Sequence, residues 1–303
     1  MVIQITTSFK KFNKLFSRNI VSVNKVKHLY KGPLKAAILD WSGTTADEHV
    51  IAPAVSFVDS FAKYKIKINM NQARKPMGLR KDLHIAEILK NPFVIAEFKK
   101  VKGRVPNDED VNKIFEYFVP IQIECLKSHS NLIPGVVDTV NILRNKYNLK
   151  IGSTTGFTKI MQDVLLKAAK EQGYEPDCCV AGDEIANNMG CRPAPFMIYE
   201  NLSRLGVWPI HSVVKVDDTV GGVGEGLNAG CWTIGVAGLS NYTNVDSIQQ
   251  WNSMSEKEKY SRRLMSRKKL ETESNAHYVV DNFTEIPQVI KDINDKLSRG
   301  IQP

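Results

Sequence analysis

The run Ile38-Leu39-Asp40-Trp41-Ser42-Gly43-Thr44-Thr45 constrains the fold more than any other stretch. An apolar strand carries an aspartate to its carboxyl end and breaks at once into a turn of small residues, which presents a carboxylate, as nucleophile or metal ligand, at the rim of an α/β sheet. Strand-like segments recur at 36–39, 150–153, 178–181, 213–216, 233–236 and 278–280. Helical stretches separate most of them, among them 158–172, closed by Gly173, and 195–205, closed by Gly206. This alternation predicts a doubly wound parallel sheet, a Rossmann-like α/β core.

Between the first and second strands, more than a hundred residues read almost wholly as helix, at 53–65, 71–77, 80–89, 92–101 and 108–127. A helical insertion directly behind a strand-end nucleophile is expected to be a cap that closes over the site and excludes water. The expected organisation is a basic leader at 1–33, a core at 34–48 and 130–303, and a helical cap at 49–129. The charged stretch 249–274 reads as a peripheral helix without chemistry.

The net charge of +9 invites a nucleic-acid partner, but its distribution argues against one. Lys10, Lys11, Lys14, Arg18, Lys25, Lys27, Lys31 and Lys35 all precede residue 40, with no acidic residue among them, and setting those eight aside leaves the remainder one charge from neutral. Phe9, Phe12 and Phe16 fall at helical intervals with cations on the other side, the pattern of a mitochondrial transit peptide; the plainer alternative is a frayed basic tail and a cytoplasmic protein. No apolar run reaches the roughly 18 residues of a membrane span, so neither a membrane nor a nucleic acid is an expected partner. Cys125, Cys178, Cys179, Cys191 and Cys231 show no metal-ligand spacing and fit a reducing intracellular compartment.

Polar residues gather at the strand ends, where open α/β sheets bind ligands. Asp40 follows the first strand, Thr154-Thr155-Gly156 the second, and Asp217-Asp218 the strand 213–216, while Arg192-Pro193 precedes the helix at 195. Asp40 and Asp218 are hard oxygen donors suited to Mg²⁺. Thr155, read as lying in a helix N-terminal turn, and Arg192 are suited to phosphate oxygens. Singly these are a turn aspartate, a helix cap and a surface charge; in this order on successive strand ends they form a site. Gly224, Gly226 and Ala229 match a dinucleotide fingerprint, but the match lies well past its strand and reads instead as a metal-site loop and helix start.

The order strand–Asp, cap, strand–Thr, basic residue, strand–Asp-Asp resembles the haloacid dehalogenase superfamily and, within it, the phosphonoacetaldehyde hydrolases (phosphonatases). The resemblance spans about 34–239. It is carried by the Asp40–Thr45 run, Ala73-Arg74-Lys75-Pro76-Met77-Gly78, Lys81 with His84, Gly152-Ser153-Thr154-Thr155-Gly156, Arg192-Pro193, and Lys215-Val216-Asp217-Asp218-Thr219 continuing through Glu225-Gly226 to Gly230. It implies Asp40, Lys81 and His84 as catalytic residues, and Thr155, Gly156, Arg192, Met77 and Gly78 around a small phosphonate substrate. It also implies Mg²⁺ on Asp40, Asp218 and the Ser42 backbone carbonyl, and a homodimer joined through the cap. Several positions depart from the pattern: Ser42 stands where alanine is usual, Phe157 where some members have tyrosine, and Val50 where some have cysteine. Gly222 stands where some members place another aspartate, and Asp217 is the candidate to supply that charge.

Phosphate-ester hydrolases of this build place a second aspartate at the position of Ser42, and a serine cannot protonate an alkoxide as a carboxylic acid can. Breaking a carbon–phosphorus bond needs an electron sink instead, and a lysine imine on an aldehyde β to phosphorus provides one. Lys81 and His84, three apart on a predicted helix, share a face, so the histidine can relay the protons of imine formation. Cationic neighbours such as Arg192 would favour the free amine. The other lysines are read as surface residues, and the other histidines as unclustered. Two rival readings remain: a phosphomonoesterase or phosphomutase of the same superfamily, and a non-catalytic binding protein derived from it.

Overall fold

Six short strands form the centre of the molecule. In the computed structural model, which describes residues 29–303, they are β1 (Ala36–Leu39), β2 (Lys150–Thr155), β3 (Cys178–Ala181), β4 (Val213–Asp217), β5 (Trp232–Val236) and β6 (Tyr278–Val280). Their order is β3-β2-β1-β4-β5-β6, and every pairing is parallel. Leu39 lies beside Ser153 on one side and Val216 on the other, so β1, β2 and β4 end along one edge. The strand order turns back at β1, which is where an open sheet leaves a crevice beyond its carboxyl ends. All residues of β1, β4 and β5 are buried, as a parallel sheet covered by helices on both faces requires.

Six α-helices lie between β1 and β2, and the first five form the insert: α1 (Ile51–Lys63), α2 (Met70–Arg74), α3 (Lys81–Leu89), α4 (Pro92–Lys102) and α5 (Asp108–Leu126). The rest follow as α6 (Val136–Tyr147), α7 (Lys159–Glu171), α8 (Phe196–Leu205), α9 (Val220–Ala229), α10 (Ile248–Ser253), α11 (Glu256–Glu273) and α12 (Ile286–Ser298). Local chemistry sets the insert's helix starts. Asn69 with Gln72, and Asn107 with Asp110, form reciprocal capping boxes, while Asn91 caps a helix whose first residue is Pro92. α1 packs along α5, which also meets α3 and α7. Phe57, Phe61, Phe98 and Phe118 join Leu39, Val214 and Ile234 in one apolar cluster, so insert and sheet share an interior. α8 covers the opposite face through Ile198, Leu202 and Leu205 against Ile38.

The chain enters the insert through three left-handed residues, Asp47, His49 and Val50, at φ 53°, 64° and 56°. A β-branched residue in this region is strained by roughly 1–3 kcal/mol, which its surroundings must offset. Part of the offset is local, since Asp47 Oδ1 accepts from the backbone N–H groups of Ile51 (3.1 Å) and Ala52 (3.2 Å) at the start of α1.

Some expected boundaries shift. The helix expected at 71–77 stops at Arg74 and gives way to a turn that ends on Gly78. The glycine-rich run 221–226 is not a loop but lies within α9, started by Thr219, whose hydroxyl accepts from the Gly222 N–H. The stretch 249–274 is covered by two helices, α10 and α11. The expected transit peptide lies outside the described residues. No helix among the described residues is long and apolar enough to cross a membrane.

Candidate active site

The turn after β1 places Asp40 chiefly by backbone bonds. Its N–H donates to Val216 O (3.0 Å), continuing the sheet, and the Trp41 carbonyl accepts from Thr44, Thr45 and Ala46. The Thr45 hydroxyl closes back on the Asp40 carbonyl at 2.8 Å. Beyond this turn Asp40, Ser42, Thr155, Gly156, Arg192 and Asp218 from the core, with Phe157 and Thr219, face Met77, Gly78 and Lys81 from the insert, with Val50 and Pro53, across one cavity. Of the residues expected at the site, His84 and Asp217 lie behind its walls. Thr155 is the last residue of β2 rather than part of a helix turn, its hydroxyl accepting from the Phe157 N–H at 3.1 Å.

Arg192 is fully enclosed and faces three carboxylates: Asp40 (2.7 Å), Asp217 (3.2 Å) and Glu225 (3.0 Å). It also donates to the Thr154 carbonyl and hydroxyl. Lys215, on β4, lies beside Asp217 (3.1 Å), Glu225 (3.3 Å) and the Thr154 hydroxyl (2.7 Å), with no exposed surface. Expecting every lysine but Lys81 at the surface was therefore wrong for Lys215. Besides Asp217 on its own strand, its neighbours come from β2 and α9, which the local sequence does not disclose.

Four buried carboxylates (Asp40, Asp217, Asp218 and Glu225) thus gather around two buried cations, Arg192 and Lys215. Burial pushes Asp40 up to about 6, with the Asp217 charge adding to it and Arg192 opposing. Burial, with Asp217 and Asp40, pushes Asp218 well above the usual carboxylate range. One Asp218 oxygen accepts from the Asn241 N–H at 2.7 Å, while the other has no partner. Asp40, Asp217 and Asp218 each offer an oxygen within 4.8 Å of the others. An orphaned carboxylate oxygen within such a cluster is what a hard divalent cation would satisfy.

Asp217 sits differently from the other two. Burial works against its charge, but Arg192, Lys215 and the bonds from Thr219 N (3.0 Å) and Oγ1 (2.7 Å) keep its carboxyl below the usual range. A Cβ at Gly222 would meet this carboxylate at 1.9 Å, so Asp217 fills the space that a side chain from α9 would otherwise take. Asp217→Gly should strip the anion shared by two buried cations and cost about 3–5 kcal/mol. Gly222→Asp alone should also destabilise, by forcing two carboxylates into one space. The double variant should recover most of the thermal stability, and equal melting losses in the double variant and Asp217→Gly would refute the exchange.

Lys81 opens α3 and is buried at 5 % exposure. Its Nζ lies 4.6 Å from the Phe157 ring centre and 5.8 Å from that of Phe57. Burial brings its amine down to about 8, Arg192 adding in the same direction and Asp40 opposing. His84 stacks on Phe57 at 3.9 Å and donates its Nε2 hydrogen to the Ala73 carbonyl at 2.7 Å, leaving Nδ1 without a partner. Burial and the Lys81 charge hold this histidine neutral, well below its ordinary value.

Insert and core meet here backbone to backbone. A Cβ at Gly156 would stand 2.6 Å from the Leu79 carbonyl, and one at Gly78 (φ 100°) 2.8 Å from the Thr219 hydroxyl. Only residues without side chains allow the turn carrying Lys81 to come so close to the strand ends. The sequence reading missed Glu225 as a partner of Arg192, Lys215 as a second cation on the same carboxylates, and Phe57 as a wall beside the amine. A charged residue inside an apolar strand, as in Val213-Val214-Lys215-Val216, was the signal that could have found Lys215.

A parallel sheet with this strand order, an aspartate after β1, a threonine after β2 and a buried acidic pair after β4, with helices inserted behind β1, defines a hydrolase core of the haloacid dehalogenase type. Solved structures at low identity share that fold, among them a β-phosphoglucomutase from Clostridium difficile (TM-score 0.60, 16% identity, 87% of this chain and 98% of that one). No family model matches the chain. It is 40% identical over 286 residues to a phosphonoacetaldehyde hydrolase from Pseudomonas entomophila, covering 90% of this chain and 98% of that protein. To one from Syntrophobacter fumaroxidans it is 36% identical over 274 residues, covering 90% and 97%. A crystal structure of a phosphonoacetaldehyde hydrolase-like protein from Oleispira antarctica superposes with a TM-score of 0.87 at 35% identity, over 93% of this chain and all of that one. The chain belongs to the phosphonoacetaldehyde hydrolase family.

Proposed function

We propose that this chain hydrolyses phosphonoacetaldehyde to acetaldehyde and phosphate. The observation that carries this reading is a lysine amine, enclosed beside Phe157 and depressed to about 8, opening into the same cavity as the strand-end carboxylate Asp40. Ester hydrolysis has no use for such an amine. The side chain at 42, a hydroxyl, could not serve as the acid that an ester hydrolase needs there.

Lys81 Nζ adds to the aldehyde carbon and, with loss of water, forms a protonated imine. Asp40 attacks phosphorus in line, and the electrons of the P–C bond pass into the imine, leaving an enamine on Lys81 and an aspartyl phosphate on Asp40. One water cleaves the acyl phosphate. The enamine takes a proton on carbon, and a second water releases acetaldehyde and the free amine, so that one water is consumed overall. Thr155 and Gly156 hold the phosphoryl oxygens, Arg192 reaches them as its bond to Asp40 gives way to substrate, and Met77 and Gly78 set the position of Lys81. His84, held neutral behind the cavity wall with Nδ1 unpartnered, relays protons to the amine through a bridging water during carbinolamine formation and loss of water. Asp40, Asp218 and the Ser42 carbonyl would hold Mg²⁺, which when bound offsets the charge between nucleophile and phosphonate.

The helical insert acts in this reading as a cap, and a homodimer joined through it completes the proposal; light scattering tests the second point. Borohydride added with substrate is the direct test of the chemistry. It should fix an adduct on Lys81 and abolish turnover, and an unmodified, active protein would overturn the mechanism. Because the amine must be free to attack, kcat/KM should rise about tenfold per pH unit below about pH 8 and level off above it. A profile flat between about pH 6 and pH 9 would count against Lys81 as the nucleophile.

A further inference from the structure

Arg74 ends α2 inside the insert, buried at 4 % exposure, and its bonds reach into the core. Every acceptor of its guanidinium is a carbonyl or amide oxygen. Nη1 donates to His49 O (2.7 Å), Val50 O (3.4 Å) and the Asn241 side-chain oxygen (3.1 Å), and Nη2 donates to Val245 O. The Asn241 amide returns a bond to the Arg74 carbonyl at 3.2 Å. Two of these acceptors belong to the left-handed entrance of the insert, and two to the loop after β5. That same loop aims the Asn241 backbone N–H at Asp218 Oδ2, at 2.7 Å, while Asp218 Oδ1 stays free. It is also bound to the entrance independently, through His49 N on Leu239 O and His49 Nδ1 beside the Thr243 hydroxyl, both at 2.7 Å.

We propose that Arg74 is a positioning residue that couples seating of the helical insert to the orientation of Asp218, acting through Asn241. The planar, five-donor guanidinium suits this task, because a single rigid group spans the entrance, α2 and the metal-facing loop. The inference rests on the reading of Asp218 as a cation ligand. By linkage, if seating the insert orients Asp218, a cation on Asp218 must stabilise the seated insert to the same degree.

The test is Mg²⁺ affinity of the full chain by calorimetry, with hydrogen exchange at residues 47–52 and 70–79 read with and without Mg²⁺. Asn241→Ala keeps the backbone N–H on Asp218 but cuts both side-chain bonds to Arg74, without leaving a new buried charge. It should weaken Mg²⁺ about tenfold, as loss of an outer partner of a metal ligand does, and remove the Mg²⁺-dependent slowing of exchange. Arg74→Lys should weaken Mg²⁺ similarly, and the double variant no more than either single one, because both cut one link. Affinity within twofold of the parent in Asn241→Ala, or losses that add in the double variant, would overturn the coupling. Asp218→Asn separates the two readings. If it binds Mg²⁺ as the parent does, or if the parent binds none, the ligand reading falls and the coupling with it. If it binds weakly while Asn241→Ala does not, only the coupling falls.

Discussion

Lys81→Arg should reduce P–C bond cleavage to the background of the uncatalysed reaction while leaving the fold intact. Arginine keeps the charge and reaches the same cavity, but a guanidinium stays protonated and forms no imine with an aldehyde. Without the imine, the electrons released from phosphorus would have to leave as a carbanion. Every part of the barrier that the sink removes is then restored, an effect of at least about 10⁴ on kcat. The measurement is acetaldehyde release under saturating Mg²⁺, beside a borohydride trap that should now yield no adduct. Activity within tenfold of the parent would mean that the amine at 81 takes no covalent part. The burial that lowers this amine also makes protonation costly, so an arginine held charged in the same place will lower stability somewhat. Circular dichroism and a melting curve separate that loss from the chemical one.

Asp40→Asn is the complementary case, and its expected effect is as large. An amide cannot accept the phosphoryl group, so no phosphate should form. The imine at Lys81 does not depend on that carboxylate, so substrate and borohydride should still mark the lysine. A chain that traps substrate without cleaving it would divide the reaction into its two halves. If Asp40→Asn instead loses the adduct along with turnover, the carboxylate is needed to admit or orient the aldehyde, and the two steps are not independent. The metal-free carboxyl is already pushed up to about 6 by burial, so removing its charge should not unfold the site. It does leave Arg192 with two carboxylate partners in place of three.

The sheet and the strand-end residues were legible because local chemistry writes them. Apolar segments that break on Asp40 and Asp217 announce both a strand and its rim, and Gly173 and Gly206 mark where helices stop. The i, i+3 spacing of Lys81 and His84 placed both on one helix, but not at one depth. Lys81 opens on the cavity, whereas His84 turns behind it onto Phe57 and the Ala73 carbonyl. What stayed hidden depends on distant partners. Lys215 is tolerable inside the sheet only because Glu225 and Asp217 meet it there, and the solvent-facing reading of a lysine is the right one until those neighbours are known. The exchange at 217 and 222 was visible as a departure from pattern, yet the shared volume behind it needed coordinates. Arg74 was noticed as part of a segment, but its reach to Asn241 and Val245 crosses from the insert to the far side of the crevice.

The seam at Gly78 and Gly156 runs between the two residues proposed to hold the substrate covalently. Lys81 rides on the inserted helices and Asp40 on the sheet. In the chemistry proposed here, severing the substrate leaves its two-carbon half attached to one side of that seam and its phosphoryl half to the other. Parting the two surfaces by even a few ångströms would carry the fragments away from each other before either is released. Recombination would then be blocked by distance, and each fragment could meet its own water.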